Sequence, residues 1–369
     1  MSSNFAATLG LKGHLYPMRW LTTFWFIAIA VGLYSQPTWR GLYLYRSGDY
    51  MGDRNQEARR DLWNTVEIAQ INYLILVGLT GEYPSMFDVY SEPGSVNKRK
   101  LGLLREFIAD ARQRGIQKIA IACSGRQVEA APTDENLDEY RKLPRLAQAI
   151  LQYNRLCQPN EKVDALSSEL EWWNLSADEH KVYDEIERNF GFDQAEIYLA
   201  GAITLQYQHW LEALRQTDAE LKQTNNGKSI ELEVYLGYLS KDLLDDRAQC
   251  EQLTAWVDRV LLHVYTQAPE QQFRANYLSR NQHLQEAGFQ GDIWPIFSLQ
   301  SEALGAHQNY QGTHLHQSNW PELIIQWERD YYLQLQQKLP VIGPINPSNP
   351  GAVWYNAEYL RRLKNAFPH

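Results

Sequence analysis

The chain has 369 residues, with 35 Lys and Arg against 44 Asp and Glu, and a formal net charge of −9. This acidic balance argues against a protein that binds nucleic acid or another polyanion. Hydrophobic residues make up 44% of the chain and charged residues 21%, which suits a large apolar core and excludes a disordered chain. Three widely spaced cysteines, Cys123, Cys157 and Cys250, form neither a disulfide framework nor a zinc-ligand pattern.

The N-terminal region holds one long apolar run, from Leu21 to Leu33, which follows Arg19 and precedes Ser35. The run is too short to span a bilayer, so no integral membrane span is predicted. A basic residue, a short apolar stretch and then small residues are typical of a secretory signal. We therefore expect a signal peptide over residues 1–35, with Met18 as an alternative start, and a secreted or periplasmic protein over residues 36–369. A buried N-terminal helix is the alternative.

Short apolar runs with β-forming residues alternate eight times with longer amphipathic stretches. Such alternation predicts an α/β protein built as a single (β/α)8 TIM barrel, with a doubly wound open sheet as the alternative. The predicted strands are Gly41–Tyr45, Tyr73–Leu79, Lys118–Cys123, Val163–Leu170, Leu232–Leu239, Arg259–Tyr265, Ile293–Leu299 and Ala352–Tyr355. The helical segments include Gln56–Gln70, Arg99–Arg114, Leu146–Cys157, Phe192–Leu221, Asp242–Val257, Glu270–Ala287, Pro321–Lys338 and Ala357–Ala366.

Three long connections, 82–98, 124–142 and 300–320, follow the carboxyl ends of predicted strands, which form the functional face of such a barrel. No glycine-rich phosphate motif follows the first strand, so a nucleotide cofactor is not predicted. His314 and His316 have the spacing of two side chains on one face of a strand, but a metal site needs more ligands, and none is predicted. We expect neither a cofactor nor a metal.

The fourth predicted strand carries the most informative residues. Side chains alternate along a strand, so Ser167, Glu169 and Glu171 share one face, while Leu166 and Leu170 share the other and must meet the helices. The acids then point into the barrel, with Glu171 outermost at its mouth. Two acids about 7 Å apart disfavour double ionisation, which raises one pKa and provides a general acid. The alternative is that both acids are solvated at the rim or paired with basic side chains.

Polar and aromatic residues at other strand ends are further candidates for the mouth, or else packing residues of its rim. They are Tyr45 after the first strand, Tyr235 and Tyr238 on the fifth, and Gln300 and Glu302 after the seventh.

The fourth strand resembles that of glycoside hydrolase family 18, the chitinase-like barrels, which reads Asp-Gly-x-Asp-x-Asp-x-Glu. Here Asp164 and Glu171 keep the first and last acids, while Ala165, Ser167 and Glu169 replace Gly and the two middle Asp residues. The third strand, 118–125, and the sixth, 262–266, are similar to the family in outline.

The resemblance implies a substrate-assisted retaining hydrolysis of β-linked N-acetylated glycans, an exception to the ordinary two-carboxylate scheme. By position, Glu171 would protonate the glycosidic oxygen and Glu169 would orient the 2-acetamido group. Tyr265 would donate a hydrogen bond to the acetamide oxygen, and Trp354 would form the floor of the sugar pocket. The expected partner is an oligosaccharide or polysaccharide.

The altered acids leave two other functions open. One is a catalytically inactive carbohydrate-binding barrel of the same fold. The other is a hydrolase of neutral sugars that uses Glu169 and Glu171 as an ordinary pair, although such pairs usually come from different strands and flank the bond.

Overall fold

The computed structural model describes residues 39–52, 56–81, 85–124, 134–170, 177–222, 230–236, 247–263, 281–282, 284–298, 322, 324–330 and 351–355. Eight parallel strands form a closed barrel in which each strand pairs with its neighbours and the eighth pairs with the first. The strands are β1 Trp39–Leu44, β2 Tyr73–Leu76, β3 Lys118–Ser124, β4 Ala165–Glu169, β5 Glu231–Leu236, β6 Arg259–His263, β7 Asp292–Ser298 and β8 Gly351–Tyr355. The chain is therefore a (β/α)8 TIM barrel, as predicted, and not an open sheet.

Helices follow most of the strands. Their bounds are α1 Gln56–Ile68, α2 Leu101–Gln113, α3 Asp134–Arg155, α4 Ala177–Phe190, α5 Phe192–Lys222 and α6 Arg247–Trp256. Residues 281–282, 284–286, 322 and 324–330 are also helical, within two of the predicted helices. Two predictions were wrong: α3 begins well before Leu146, inside the connection predicted over 124–142, and α4 was not predicted at all. The predicted helix over 357–366 lies outside the described residues.

Alternation along the strands separates an interior cluster from an outer core. On β1, Tyr43 faces the interior, whereas Leu42 and Leu44 pack against the helices. Gly41 also faces inward, and a Cβ there would lie 2.9 Å from both Tyr73 and Val353. The glycine thus lets large side chains from β2 and β8 meet inside the ring.

The seam where β8 closes on β1 is held by a buried ion pair. Arg40, which faces outward from β1, donates to the Glu328 carboxylate through Nη2 at 2.5 Å and through Nε at 2.8 Å. Trp354 of β8 donates to the same carboxylate from Nε1 at 2.8 Å. Glu328, on helical residues 324–330, thereby connects that helix to both strands of the seam.

The connection after β2 forms a small sheet of its own, from the two-residue strands Thr80–Gly81, Phe87–Asp88 and Ser95–Val96. This sheet packs on α3, where the amides of Gly94 and Val96 donate to Gln148 and Gln152 at 3.1 and 3.0 Å. A long connection leaving the carboxyl end of a strand is thus fixed against the barrel.

Helices α4 and α5 form a hairpin that turns at Gly191, whose φ of +92° suits glycine. With 31 residues, α5 is about 46 Å long, more than twice the length of a barrel strand. Its second half carries most of its buried residues. Its first half and α4 expose large apolar side chains, namely Phe190, Phe192 and Ile197.

Replacing Glu328 with Ala should lower the free energy of unfolding by about 3–5 kcal/mol, because Arg40 would remain buried without a counter-charge. Urea denaturation at pH 7 measures this change. Glu106→Ala is the matched control, since Glu106 pairs with Arg59 on the surface and such pairs contribute about 0–1 kcal/mol. Equal losses in the two variants would contradict the role of the seam.

Candidate active site at the barrel mouth

The predicted alternation on β4 is confirmed over the part of the strand that the structure describes. Ser167 is fully buried inside the barrel, and Glu169, the next inward residue, lies half-buried at the carboxyl end. Leu166 and Leu170 belong to the outer core. The Glu169 side chain therefore faces the barrel interior at the mouth. Glu171 lies outside the described residues.

The register of β4 is fixed at its amino-terminal end and on its outer face. Asp164 accepts a hydrogen bond from the amide of Ile119 at 2.7 Å and pairs with Arg112. On the outer face, the indole Nε1 of Trp210 in α5 donates to Ser168 Oγ at 3.2 Å. A shift of one residue would break these bonds and turn Glu169 towards the helices.

Residues from neighbouring strands surround Glu169 at the mouth. Ser124 ends β3 directly beside it in register. On the other side, the Tyr235 ring of β5 lies 6.1 Å from the His263 ring of β6, measured between centroids. Tyr45, at the end of β1, packs partly buried against the interior cluster. The mouth thus combines a carboxylate, an imidazole and phenol rings.

The structure tests only some of the other sequence predictions for this site. It places Tyr45 just after the end of β1, and Ser167 and Glu169 on the inward face of β4. Tyr238, Tyr265 and Gln300 lie outside the described residues, as does Glu171.

The prediction for Trp354 was wrong in its direction. Val353 faces the barrel interior, so the next residue must face outward, and the Trp354 ring is fully buried in the outer core. It stacks on Phe297 at 4.8 Å and on Trp327 at 6.2 Å between centroids. Trp354 supports the seam and cannot form the floor of a pocket inside the barrel.

A cluster of charged side chains fills the amino-terminal end of the barrel interior, beneath the mouth. Arg259 of β6 pairs with Glu233 and with Glu231 of β5, the latter at 2.7 Å, and lies 3.3 Å from Asp292 of β7. Lys118 of β3 pairs with Glu231 at 2.6 Å. We call these five residues the floor cluster: Lys118, Glu231, Glu233, Arg259 and Asp292.

Aromatic rings complete the surroundings of the floor cluster. The guanidinium of Arg259 lies 3.9 Å from the Trp294 ring centroid, and the Lys118 ammonium lies 5.0 Å from that of Trp39. The Tyr73 hydroxyl donates to Glu233. Cation–π contacts of this kind become stronger when the cation is desolvated.

The pKa values of the two glutamates in the floor cluster shift in opposite directions. Desolvation raises the pKa of Glu233, although Arg259 acts against that rise. Desolvation acts on Glu231 as well, but Arg259 and Lys118 overcome it and lower the pKa of that carboxyl. Burial together with the neighbouring carboxylate of Glu233 raises the pKa of Tyr73, so its phenol keeps its proton.

Sequence reasoning missed the floor cluster because it began the fifth strand at Leu232. Starting the strand at Glu231 gives a strict alternation in which Glu231, Glu233 and Tyr235 face one side. Together with Arg259 at the start of the next strand, that pattern would have indicated an interior salt bridge.

Within the described ranges, no group of three His, Cys, Asp or Glu side chains could hold a metal ion. The helices described there include none that is both long and apolar enough to cross a bilayer.

No protein-family model and no curated protein matches this sequence. Among solved structures, a GH18 chitinase from Pseudoalteromonas aurantia aligns over 89% of this chain and 100% of its own, with 11% identity and a TM-score of 0.44. A beta-mannanase from the blue mussel Mytilus edulis aligns over 89% and 90%, with 11% identity and a TM-score of 0.49.

The PgaB (BpsB) glycoside hydrolase domain from Bordetella bronchiseptica aligns over 90% of this chain and 97% of its own, with 10% identity and a TM-score of 0.46. The closed barrel described above is the fold that the resemblance to glycoside hydrolase family 18 implies.

Replacing Arg259 with Met should destabilise the protein by about 3–5 kcal/mol at pH 7, because three carboxylates would lose their shared cation. Without Arg259 the pKa of Glu233 in the folded state rises further above its unfolded value. A raised pKa favours folding at low pH and disfavours it as pH rises, so the deficit should shrink at pH 5.

Urea denaturation at pH 7 and pH 5 measures both effects. Arg59→Met is the control, because Arg59 pairs with Glu106 and Asp110 on the surface. A deficit in Arg259→Met that stays constant between the two pH values would contradict this account of the floor cluster.

Proposed function

We propose that the protein is an exported glycoside hydrolase of chitinase-like type that cleaves β-linked N-acetylated glycans by substrate-assisted retention. One observation carries the proposal: Ser167 and Glu169 lie on the inward face of β4, with Glu169 at its carboxyl end. Glu171 is two residues further along, so the alternation of a strand continued to that point would put it on the same side. The carboxyl ends of barrel strands are where such enzymes hold their reacting groups.

In the proposed reaction the Glu171 carboxyl gives its proton to the glycosidic oxygen as the bond to the anomeric carbon breaks. The carbonyl oxygen of the substrate's 2-acetamido group attacks that carbon and forms an oxazolinium. Glu169 orients the acetamide N–H, and Tyr265 donates to its oxygen. Water, deprotonated by Glu171, then opens the ring and restores the original configuration.

Side chains at the mouth would bind the sugar rings. Tyr45 and Tyr238 offer aromatic faces, and Gln300 offers an amide, while Ser167 lies beneath Glu169. Tyr235 and His263, whose rings are in contact, lie on the neighbouring strands β5 and β6.

The second candidate is a carbohydrate-binding barrel of the same fold without turnover. Two observations favour it: Ser167 places a hydroxyl where the resembling motif has an acid, and Trp354 faces the outer core rather than the pocket. Glu169 is also one methylene longer than Asp, and a displacement of about 1 Å at a reacting centre can cost about a hundredfold in rate.

The experiment compares the wild type with Glu171→Gln on a panel of labelled N-acetylglucosamine oligomers and neutral oligosaccharides, with both cleavage and binding measured. We expect the wild type to cleave only acetamido sugars. We expect Glu171→Gln to lose about 10²–10⁴ in kcat while still binding, because it cannot donate the proton. Glu169→Gln should lose rate as well, since the acetamide would be poorly oriented.

Two further variants serve as controls. Trp354→Phe should bind every sugar as the wild type does, because its ring faces the outer core, and Glu106→Gln removes an exposed acid from α2. Binding without cleavage by the wild type would establish the second candidate. Equal cleavage of neutral and acetamido sugars would contradict substrate assistance, and neither binding nor cleavage would refute both functions.

We also propose that residues 1–35 are a signal peptide and that residues 36–369 are the secreted or periplasmic protein. The apolar run from Leu21 to Leu33 behind Arg19 supports this. Expression in a bacterial host, followed by mass spectrometry of the N-terminus in the exported fraction, tests it. A chain that stays in the cytosol with residues 1–35 attached would contradict it.

A further inference from the structure

The tip of the α4–α5 hairpin is the most exposed apolar surface on the part of the chain that the structure describes. Phe190, Phe192 and Ile197 are 73, 59 and 65% exposed, more than any other large apolar side chain described. Trp210 of α5 contacts Ser168 of β4, and Phe192 lies about 27 Å from that contact along the helix. The tip thus stands away from the core, and only another surface can cover it, with a gain in free energy.

Acidic residues surround this tip. Residues 177–199 hold seven acids against two bases, a net charge of −5 in a chain whose total is −9. Glu187, Asp193 and Glu196 are exposed and lie within four residues of Phe190 or Phe192. An apolar tip with an acidic rim disfavours an anionic lipid surface or a nucleic acid as its partner and favours a basic protein surface.

A basic surface lies on another side of the barrel, where α1 packs beside α2. A cavity of about 500 Å³ between the two helices includes Gly52 and Arg59 in its wall. A second cavity, of about 210 Å³, also includes Arg59 and extends to Arg60, Trp63 and Arg114. A cavity of about 150 Å³ is enough to hold benzene, so the larger one has room for phenyl rings.

Unpaired basic side chains lie at one end of this groove. Lys98, Arg99 and Lys100 directly precede α2 and form no ion pair with any residue that the structure describes. The start of α2 has no side-chain cap, so its free amides add positive potential there. Leu103 is 39% exposed, and a Cβ on Gly52 in the groove wall would lie 3.3 Å from it. We call these residues the basic face: Arg59, Arg60, Lys98, Arg99, Lys100, Leu103 and Arg114.

The charge of the basic face complements that of the hairpin. Its six basic side chains lie beside two acids, Glu106 and Asp110, which both pair with Arg59, so the net charge is +4. Guanidinium groups also stack on aromatic rings, and Arg114 already lies 5.4 Å from the Trp63 ring centroid. The phenylalanines of the tip therefore suit a groove lined by arginines, and the acids around them suit its free lysines.

One copy cannot make this contact within itself, because α1 and α2 follow β1 and β2 while the hairpin follows β4, with α3 between them. We propose that the tip of the α4–α5 hairpin docks into the basic face of a second copy of this chain. The two surfaces differ, so the contact is heterologous and joins copies head to tail into a ring or a chain. It is independent of the proposed function. A tip of this size covers less than about 1,200 Å², the lower bound of a stable interface, so we expect a Kd in the micromolar range.

The test is sedimentation equilibrium of the full chain at about 1–200 µM protein, in about 50 mM and about 500 mM NaCl. We expect reversible association in the lower salt and weaker association in the higher salt, because salt screens exposed charges. A chain that stays monomeric over the whole range, or associates equally at both salt concentrations, would overturn the proposal.

Charge reversal identifies the two surfaces. One variant carries Glu187→Lys and Asp193→Lys at the tip, and the other carries Lys98→Glu and Arg99→Glu on the basic face. Each variant alone should associate about tenfold more weakly, because like charges then meet. An equal mixture should regain the association of the wild type, because opposite charges meet in every mixed contact. A basic-face variant that associates normally would show that hairpins pack on each other, and that result, like a mixture without recovery, would overturn the proposal.

Further variants test the apolar part of the contact. Phe190→Ser combined with Phe192→Ser should abolish association, and association that survives would contradict docking through the tip. The controls are Leu156→Ser, which removes an exposed apolar side chain next to α3, and Glu212→Lys, which reverses an exposed acid of α5 about 30 Å from the tip. Both should associate as the wild type does. All the substituted side chains are exposed, so matching urea midpoints should separate lost docking from lost folding.

Discussion

The floor of this barrel contains charged side chains, and two of them, Arg259 and Glu233, are fully buried. Because alternate residues of every strand must face inward, Arg259 can be neutralised only by side chains of the barrel's own strands. Glu231 and Glu233 come from β5 and Asp292 from β7, so the guanidinium connects three neighbouring strands. The remaining interior positions are filled by aromatic rings, by aliphatic side chains such as Ile75 and Leu261, and by small side chains such as Ala120 and Ala165.

This arrangement divides the barrel into two regions of different chemistry. At the floor, acidic and basic side chains form ion pairs and pack against the stacked rings of Trp39 and Trp294. The mouth carries Glu169, Tyr235 and His263. These residues lie at or next to the carboxyl ends of β4, β5 and β6. A rigid floor gives the mouth residues fixed backbone positions, while the connections that follow the strands determine what can approach them.

Sequence periodicity predicted all eight strands, because buried parallel strands appear as short runs of apolar residues, separated here by helices. It also placed Ser167 and Glu169 on the correct face of β4. The prediction for Trp354 came from its position in a family pattern. It did not take into account that Val353 faces the interior, so that the next residue along the strand faces outward. The helix α4 was missed although Val182, Ile186 and Phe190 recur every four residues, which is the spacing of one helix face; the rest of its sequence is rich in charged residues.

Charge pairs across the ring could not be predicted from local pattern, because their partners are far apart along the chain. Arg40 stands at the beginning of the barrel, and its counter-charge, Glu328, lies 288 residues later. The Arg40 guanidinium of the first strand therefore cannot pair with Glu328 until nearly the whole barrel has been synthesised. Closure of β8 on β1 must be among the last steps of folding, and such long-range contacts are typical of slow folding.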